Sequence, residues 1–230
     1  MSRVIRFARG LMNYRVSRNS HSPRLWSVAI LELSFLLIAS PVVLAESPAS
    51  SQAHTDTEFA RALISKGPSP QLPKAAAAVY DWLIGDWEAD VYDFEPGGKK
   101  RVDKGEWHFR WVLEGRAVQD VWIVPIRPSR VIDAPTMNNR YGTSLRTYDP
   151  KLDVWHVFWV NPVTQDRSEL IARKIGNTVV QQGIAEDGSF MRWTFRDITA
   201  TSFTWRGELS SDGGKTWQLD AEFVVRRIVR

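Results

Sequence analysis

The sequence predicts an all-β fold: a single antiparallel up-and-down β-barrel of about 8–10 strands, preceded by a short helix and an N-terminal signal peptide. Short runs of alternating apolar and polar residues recur from residue 85 to the C-terminus. Turn residues separate these runs, and no long helical pattern lies between them. Such a series is typical of a meander, and many consecutive antiparallel strands tend to close on themselves because closure removes exposed edges.

The first 45 residues are typical of a secretory signal peptide. Six arginines and no acidic residue occupy the first 24 positions, and an apolar run, Leu25–Leu44, ends beside the small residue Ala45. We expect cleavage after Ala45 and a periplasmic or secreted protein. The alternative is an uncleaved membrane anchor, for which Glu32 within the apolar run would be costly in lipid. Initiation at Met12 and an organellar transit peptide are further alternatives.

Removing this leader changes the charge of the chain. The whole sequence has 30 basic and 26 acidic residues, but six of the basic residues and one of the acidic residues lie in the leader. The remainder has a formal net charge of about −1. Nucleic-acid binding needs a basic surface, so we expect no nucleic-acid partner. We expect contact with a membrane only if the leader is not cleaved. The absence of cysteine excludes disulfides, thiol catalysis and thiolate metal sites.

Between the leader and the barrel, residues 46–73 are rich in Ser, Ala and Pro and predict a flexible tether with one short helix. Asp56 or Thr57 is expected to cap that helix, and Gly67 to end it. A second short helix is predicted over Lys74–Ile84, after a proline and before a glycine. We expect the barrel domain to span residues 74–230.

The strand predictions follow from strict alternation. Trp107, Phe109, Trp111 and Leu113 share one face of their run, opposite charged residues. The stretch Pro125–Met137 predicts the one long irregular loop of the domain. After a first strand that starts near Gly85, the predicted strands are Glu106–Leu113, Ala117–Val124, Tyr141–Tyr148, Val154–Val160, Glu169–Arg173, Asn177–Ile184, Phe190–Ile198, Ser202–Leu209 and Trp217–Val229.

Gly85-Asp86-Trp87, at the start of the first strand, is the most informative segment. A glycine two residues before a tryptophan in this position is a lipocalin-type signature. Gly85 permits the tight backbone path, and Trp87 is expected to plug one end of the barrel. In such barrels a late arginine stacks on this indole, and Arg226 or Arg227 is expected to do so here. The predicted role of Trp87 is therefore structural.

Longer motifs extend this signature over most of the domain. They are Asp81–Trp87, Leu113–Trp122, Leu145–Pro150 followed by Trp155 and Trp159, and Ser202–Trp205 running into Asp212–Trp217. Together they resemble a bacterial family of unassigned role, the domain of unknown function 1579 family, which is related to lipocalin-like calycins. The resemblance covers roughly residues 78–228. It implies a barrel able to hold a small apolar or aromatic molecule and brings no established reaction.

Ser210–Trp217 also matches the Asp-box Ser-x-Asp-x-Gly-x-Thr-Trp, which is familiar from sialidase propellers. One copy does not make a propeller, which needs several repeats of about 40–50 residues. Asp and Gly build a turn in such a box, and Trp packs beneath it. We interpret this segment as a structural hairpin turn.

Candidate ligand-binding residues come from strands that combine large rings with polar side chains. Ten of the eleven tryptophans lie after Gln71, and rings of this size often line concave apolar sites. A few polar side chains among them would orient a ligand, while alternation places the others on the solvated outer face. An internal arginine is expected to pair with Glu208 or Asp120. The candidates are Arg146, His156, Trp107, Trp159, Trp193, Glu208, Arg110 and Gln119.

The sequence predicts no cofactor. His156, beside Trp155, is a conceivable axial haem ligand, although a lone strand histidine is more often hydrogen-bonded or exposed. The two histidines of the predicted barrel domain, His108 and His156, give no zinc-ligand spacing with the scattered carboxylates, and we expect no metal. Ser144 and Ser168 lack the context of a catalytic serine, and no glycine-rich phosphate loop is present.

Three functional hypotheses follow. The leading one is an exported, tryptophan-rich barrel that binds a small apolar or aromatic ligand, which an internal charge orients. Both a monomer and a homodimer are compatible with this hypothesis. The second is an enzyme on the same barrel, of isomerase, cyclase, hydratase or decarboxylase type, with His156, Glu208 or Asp120 transferring the proton. The third is a structural envelope protein with a packed barrel.

Overall fold

A computed structural model describes residues 57–95, 98–131 and 139–229 of the chain. Ten antiparallel strands form one closed barrel, which confirms the predicted fold class. The strands are β1 (Gly85–Phe94), β2 (Lys100–Val112), β3 (Ala117–Val124), β4 (Arg140–Asp149), β5 (Val154–Asn161), β6 (Asp166–Ile175), β7 (Thr178–Ile184), β8 (Phe190–Arg196), β9 (Ser202–Ser210) and β10 (Gln218–Arg227).

Each strand pairs with its neighbours in the chain, and β1 pairs with β10 to close the sheet. Trp87 stands opposite Arg227 on one side and Trp107 on the other. Because side chains alternate across a strand, one residue in two points into the barrel. Trp87, Ala89 and Val91 of β1 belong to the resulting core.

Between residue 57 and the barrel, the structure has two short helices, α1 (57–63) and α2 (Lys74–Ala77). A 3₁₀ turn, Asp81–Leu83, follows α2, so the single helix predicted over Lys74–Ile84 is interrupted. The interruption falls at Tyr80, whose φ of −126° is not helical. Tyr80 and Leu83 are both fully buried, and the break lets both side chains reach the core.

The segment after α1 contacts the hairpin between β2 and β3. The Ser65 amide donates to the Trp111 carbonyl at 2.8 Å, and the Leu113 amide donates to the Leu63 carbonyl at 3.0 Å. The Ser69 amide donates to the Gly115 carbonyl at 2.9 Å. This part of the region that we expected to be a tether is therefore hydrogen-bonded to the barrel.

Trp87 closes the end of the barrel next to α2, as predicted. Its indole is fully buried and donates to the Leu83 carbonyl at 2.7 Å. Of the two candidate arginines, Arg227 stacks on it, with the guanidinium carbon 4.0 Å from the ring centroid. Arg227 also donates to the carbonyls of Trp82 and Ile84, which ties the last strand to the segment before β1.

The Asp-box forms the hairpin turn between β9 and β10, as predicted from the sequence. Asp212 accepts hydrogen bonds from the Lys215 amide and from the amide and hydroxyl of Thr216. Gly213 and Gly214 have positive φ, and the Trp217 indole donates to the Gly214 carbonyl. The carboxylate thus satisfies the backbone and hydroxyl donors of this turn.

Some sequence predictions differ from the structure, and others concern residues outside the described ranges. Leu113 does not share the inner face of β2, because it begins the β2–β3 turn with a φ of 53° and is exposed. The leader and residues 46–56 lie outside the described residues, as does the second half of the loop Pro125–Met137. No helix in the described part of the chain has the length and apolar character needed to cross a bilayer.

Replacing Arg227 with Gln should lower the free energy of unfolding by about 2–4 kcal/mol, because charged hydrogen bonds and a cation–π contact are lost together. Arg226→Gln is the matched control. Arg226 makes an exposed ion pair with Asp90, so its replacement should cost less than about 1 kcal/mol. Urea titration followed by tryptophan fluorescence measures both costs. Equal costs at the two positions would contradict the closing role of Arg227.

The Asp-box turn should make stability depend on acid pH. Hydrogen bonds from Thr216 and Ser210 hold the pKa of Asp212 well below its ordinary value. A depressed folded-state pKa contributes stability above the unfolded value of about 3.9, and this contribution is lost as the pH falls through the folded value. Asp212→Asn should therefore be less stable than the wild type at neutral pH, and the difference should narrow below about pH 4. A difference that stays constant into acid would contradict this prediction.

Candidate functional site

The barrel contains a cavity of about 460 Å³. Tyr80 and Trp87 are fully buried at the closed end of the barrel. The mouth of the cavity lies at the opposite end, beside the turns that join β5 to β6 and β7 to β8, where Asp166, Glu186 and Asp187 line it. Ligand cavities in proteins are typically about 300–1,000 Å³, so the volume is that of a small-molecule site.

Indole rings form most of the apolar wall. Trp205 stacks on Phe223 with ring centroids 4.3 Å apart, and Trp122 stacks on the same phenyl ring at 4.7 Å. Trp107 meets Trp122 at 4.6 Å. The rings hold each other in place, so a ligand that enters the cavity meets flat aromatic surfaces.

Three inward-facing glycines make room for these rings. A Cβ atom at Gly105 would lie 2.7 Å from the Trp122 ring, and one at Gly207 would lie 2.8 Å from the Trp205 ring. At Gly142 it would lie 2.5 Å from Trp159. Because these positions have no side chain, the indoles lie close to the barrel wall. The space that the rings would otherwise fill remains open as cavity.

A buried ion pair lies at the floor of the cavity. Arg146 of β4 donates to Asp120 of β3 at 2.6 Å, and both side chains are at most 1% exposed. The other carboxylate oxygen of Asp120 accepts from the Ser144 amide at 3.1 Å. This pairing was one of the two predicted for an internal arginine. Since both charges are removed from water, each depends on the other for compensation.

Tyr80 and Gln181 complete the floor. The Tyr80 hydroxyl donates to Gln181 Oε1 at 3.2 Å, and the Arg146 guanidinium lies 5.3 Å from the Tyr80 ring centroid. Burial raises the pKa of Tyr80 to about 12, against the lowering effect of Arg146. Tyr80 is therefore a neutral donor at physiological pH. Four buried donors on cavity-lining residues have no partner in the described structure: Arg140 Nε, Arg146 Nε, Gln181 Nε2 and Trp107 Nε1.

Near the mouth, charged side chains from four strands approach one another. Arg140 donates to Asp93 at 2.6 Å, and Arg101 also bonds to this carboxylate. Burial and the neighbouring Asp93 raise the pKa of Asp220, while Arg140 lowers it. Arg140 and Asp220 both line the cavity. A ligand therefore passes a polar rim before it reaches the aromatic wall.

The structure brings five of the eight candidate residues to the cavity. Arg146, Trp107, Trp159 and Trp193 line it from inward positions, and Glu208 lines its edge. Trp159 and Trp193 meet edge to face, with centroids 6.3 Å apart. Their positions follow from alternation, since each occupies an inward position of its strand.

The remaining three candidates, and Glu208 at the cavity edge, have partners on the outer face. His156 lies between the inward-facing Trp155 and Val157, and its Nε2 is 3.5 Å from Asp149. It therefore cannot reach a haem held inside the barrel. The others bond to outer-facing neighbours: Arg110 to Asp86 at 2.7 Å, Gln119 to Thr143 at 3.0 Å and Glu208 to Arg192 at 2.9 Å.

Sequence reasoning missed several residues of the site. Gln181 occupies an inward position of β7, two residues from the buried Val179. Alternation within the predicted strand was enough to place Gln181 on this inward face. Trp122 and Trp205 likewise face inward on their predicted strands. Tyr80 carried no such signal, because its position depends on the break after α2.

Removing one member of the buried ion pair should be costly. Asp120→Asn leaves Arg146 without a compensating charge and should lower the free energy of unfolding by about 3–5 kcal/mol. The double variant Asp120→Leu/Arg146→Met removes both charges and should be closer to the wild type, since apolar replacement of a whole buried pair is often neutral. Urea titration of both variants tests this. A double variant less stable than the single one would contradict the proposed dependence.

Comparison with known proteins adds little to the geometry. No protein-family model matches the chain, and no curated protein matches it. Among solved structures, the crystal structure of Rv2717c from M. tuberculosis is similar to this chain, with a TM-score of 0.45 and 11% sequence identity. The match covers 69% of this chain and 100% of that one. The resemblance to the domain of unknown function 1579 family is thus not confirmed, and the strand topology itself assigns the chain to the closed antiparallel β-barrels.

Proposed function

We propose that this chain is an exported small-molecule-binding protein that holds an apolar or aromatic ligand inside its barrel. The observation that carries the proposal is the cavity of about 460 Å³, lined by Trp107, Trp122, Trp159, Trp193 and Trp205. Burial of apolar ligand surface against such a wall contributes about 25 cal/mol per Å². Export rests on the signal-peptide pattern of the first 45 residues.

The shape of the barrel supports binding over a purely structural role. A structural envelope protein gains stability from a filled interior, because empty volume forfeits packing contacts. Here three glycines and the stacked rings keep the space open. Trp87 is buried across one end of the barrel, and the cavity lining reaches the turns at the other end. This arrangement is typical of a container for a small molecule.

The enzyme hypothesis receives less support. Of its three candidate proton-transfer residues, His156 and Glu208 have partners on the outer face. Asp120 faces inward, but each of its oxygens already accepts a hydrogen bond. General acid–base catalysis needs a group within reach of the substrate that can change protonation state at the working pH. We therefore favour binding without turnover.

Ligand binding should depend on access through the mouth. Ala185 faces inward beside the mouth and lines the cavity, so Ala185→Trp should lower affinity at least about tenfold by filling that space. Ala200→Trp, in the exposed turn at the closed end, is the matched control and should leave affinity unchanged. The wild type is first screened with fatty acids, aromatics and terpenoids by dye displacement and tryptophan quenching. Absence of binding by every class would refute the proposed function.

A further inference from the structure

We infer that the cavity selects an uncharged ligand with a carbonyl-type acceptor, such as a ketone, ester, lactone or amide, on an apolar body. This inference rests on the proposed function and concerns its ligand class. It comes from buried polar groups of residues that line the cavity, where several donors lack partners and the Arg146–Asp120 pair carries no net charge.

The floor is rich in unused donors. Arg146 Nε, Gln181 Nε2 and Trp107 Nε1 are buried and unpartnered, and their residues all line the cavity. The acceptors beside them are already engaged, since Gln181 Oε1 accepts from Tyr80 and Asp120 accepts from Arg146 and from the Ser144 amide. An unsatisfied buried donor is costly, so a ligand oxygen placed here gains more than it would at a satisfied site.

These donors belong to one connected group. The Arg146 guanidinium lies 5.5 Å from the centroid of Phe109, and Phe109 contacts Trp107 with centroids 4.9 Å apart. On its other side Arg146 lies over Tyr80, which bonds to Gln181. The donors of Arg146 and Gln181 are thus linked through Tyr80, and the proposed position of the ligand's acceptor group is beside these two side chains.

The charges disfavour a carboxylate. The guanidinium of Arg146 is already compensated by Asp120, so a second anion at the floor would be buried without a counter-charge. Among the described residues, the cavity lining has five acidic side chains and three arginines. The acidic ones are Asp166, Glu186, Asp187, Glu208 and Asp220. A neutral carbonyl oxygen uses the donors and meets no such repulsion.

Three ligands with the same aromatic body separate the possibilities. We choose acetylnaphthalene, ethylnaphthalene and naphthoate, substituted at the same ring position, and titrate each into the full-length chain by calorimetry at neutral pH. The acetyl compound should bind roughly tenfold more tightly than the ethyl compound, because its oxygen satisfies at least one buried donor. It should also bind at least about tenfold more tightly than naphthoate, whose ionised carboxylate must be desolvated beside Asp120.

Variants on β7 test the donors directly. Gln181→Met removes the amide donor and should reduce the preference for acetylnaphthalene over ethylnaphthalene to about threefold or less, with the affinity for ethylnaphthalene little changed. Gln182→Met is the matched control, because Gln182 is the next residue of the same strand and lies on the exposed outer face. Thermal unfolding checks that each variant is folded. If Gln181→Met does not fold, Trp107→Phe removes another donor and should reduce the same preference.

The outcomes distinguish this inference from the proposed function. Tightest binding of naphthoate would overturn the selection for an uncharged ligand while leaving the binding function in place. Equal binding of the acetyl and ethyl compounds would overturn the role of the donors and indicate that water satisfies them. Failure of all three ligands, together with failure of the ligand screen, would refute both.

Discussion

The contact between Arg227 and Trp87 is the constraint on which the rest of the site depends. It joins the last strand to the first and holds an indole across one end of the barrel. A barrel open at both ends would expose its interior polar groups to water, and hydrogen bonds there would gain little. With one end closed, Arg146 and Asp120 lie in a region of low dielectric, where their mutual compensation matters.

The interior divides into regions of different chemistry. Near the closed end, a buried ion pair and its neighbours provide directional contacts. Above them, stacked rings provide apolar area. At the mouth lie partly buried ion pairs such as Arg140–Asp93. Hydrogen-bonding groups fix the orientation of a ligand, while burial of apolar area contributes most of its affinity. The glycines that seat the rings determine how much of the interior stays empty.

Alternation made much of this arrangement predictable. It placed Trp107, Trp159 and Arg146 correctly, because a two-residue period assigns each side chain to a face once the strand is known. Alternation also turns His156 and Glu208 outward, where they pair with Asp149 and Arg192, so their residue type alone is a poor guide to the site. Tyr80 was beyond such reasoning, since a local break in a helix decides where it points. The start of β2 at Lys100 was also missed, because its charged residues form ion pairs at the rim and carry no apolar pattern.

The topology also has a consequence for biosynthesis. Because β1 hydrogen-bonds to β10, the sheet cannot close until residues near position 227 have emerged from the ribosome. Until then the nascent chain presents β1 as an unpaired edge, which is prone to pair with other chains. A premature stop codon that removes even this final strand would therefore expose two edges, and such truncated chains are candidates for aggregation and proteolysis.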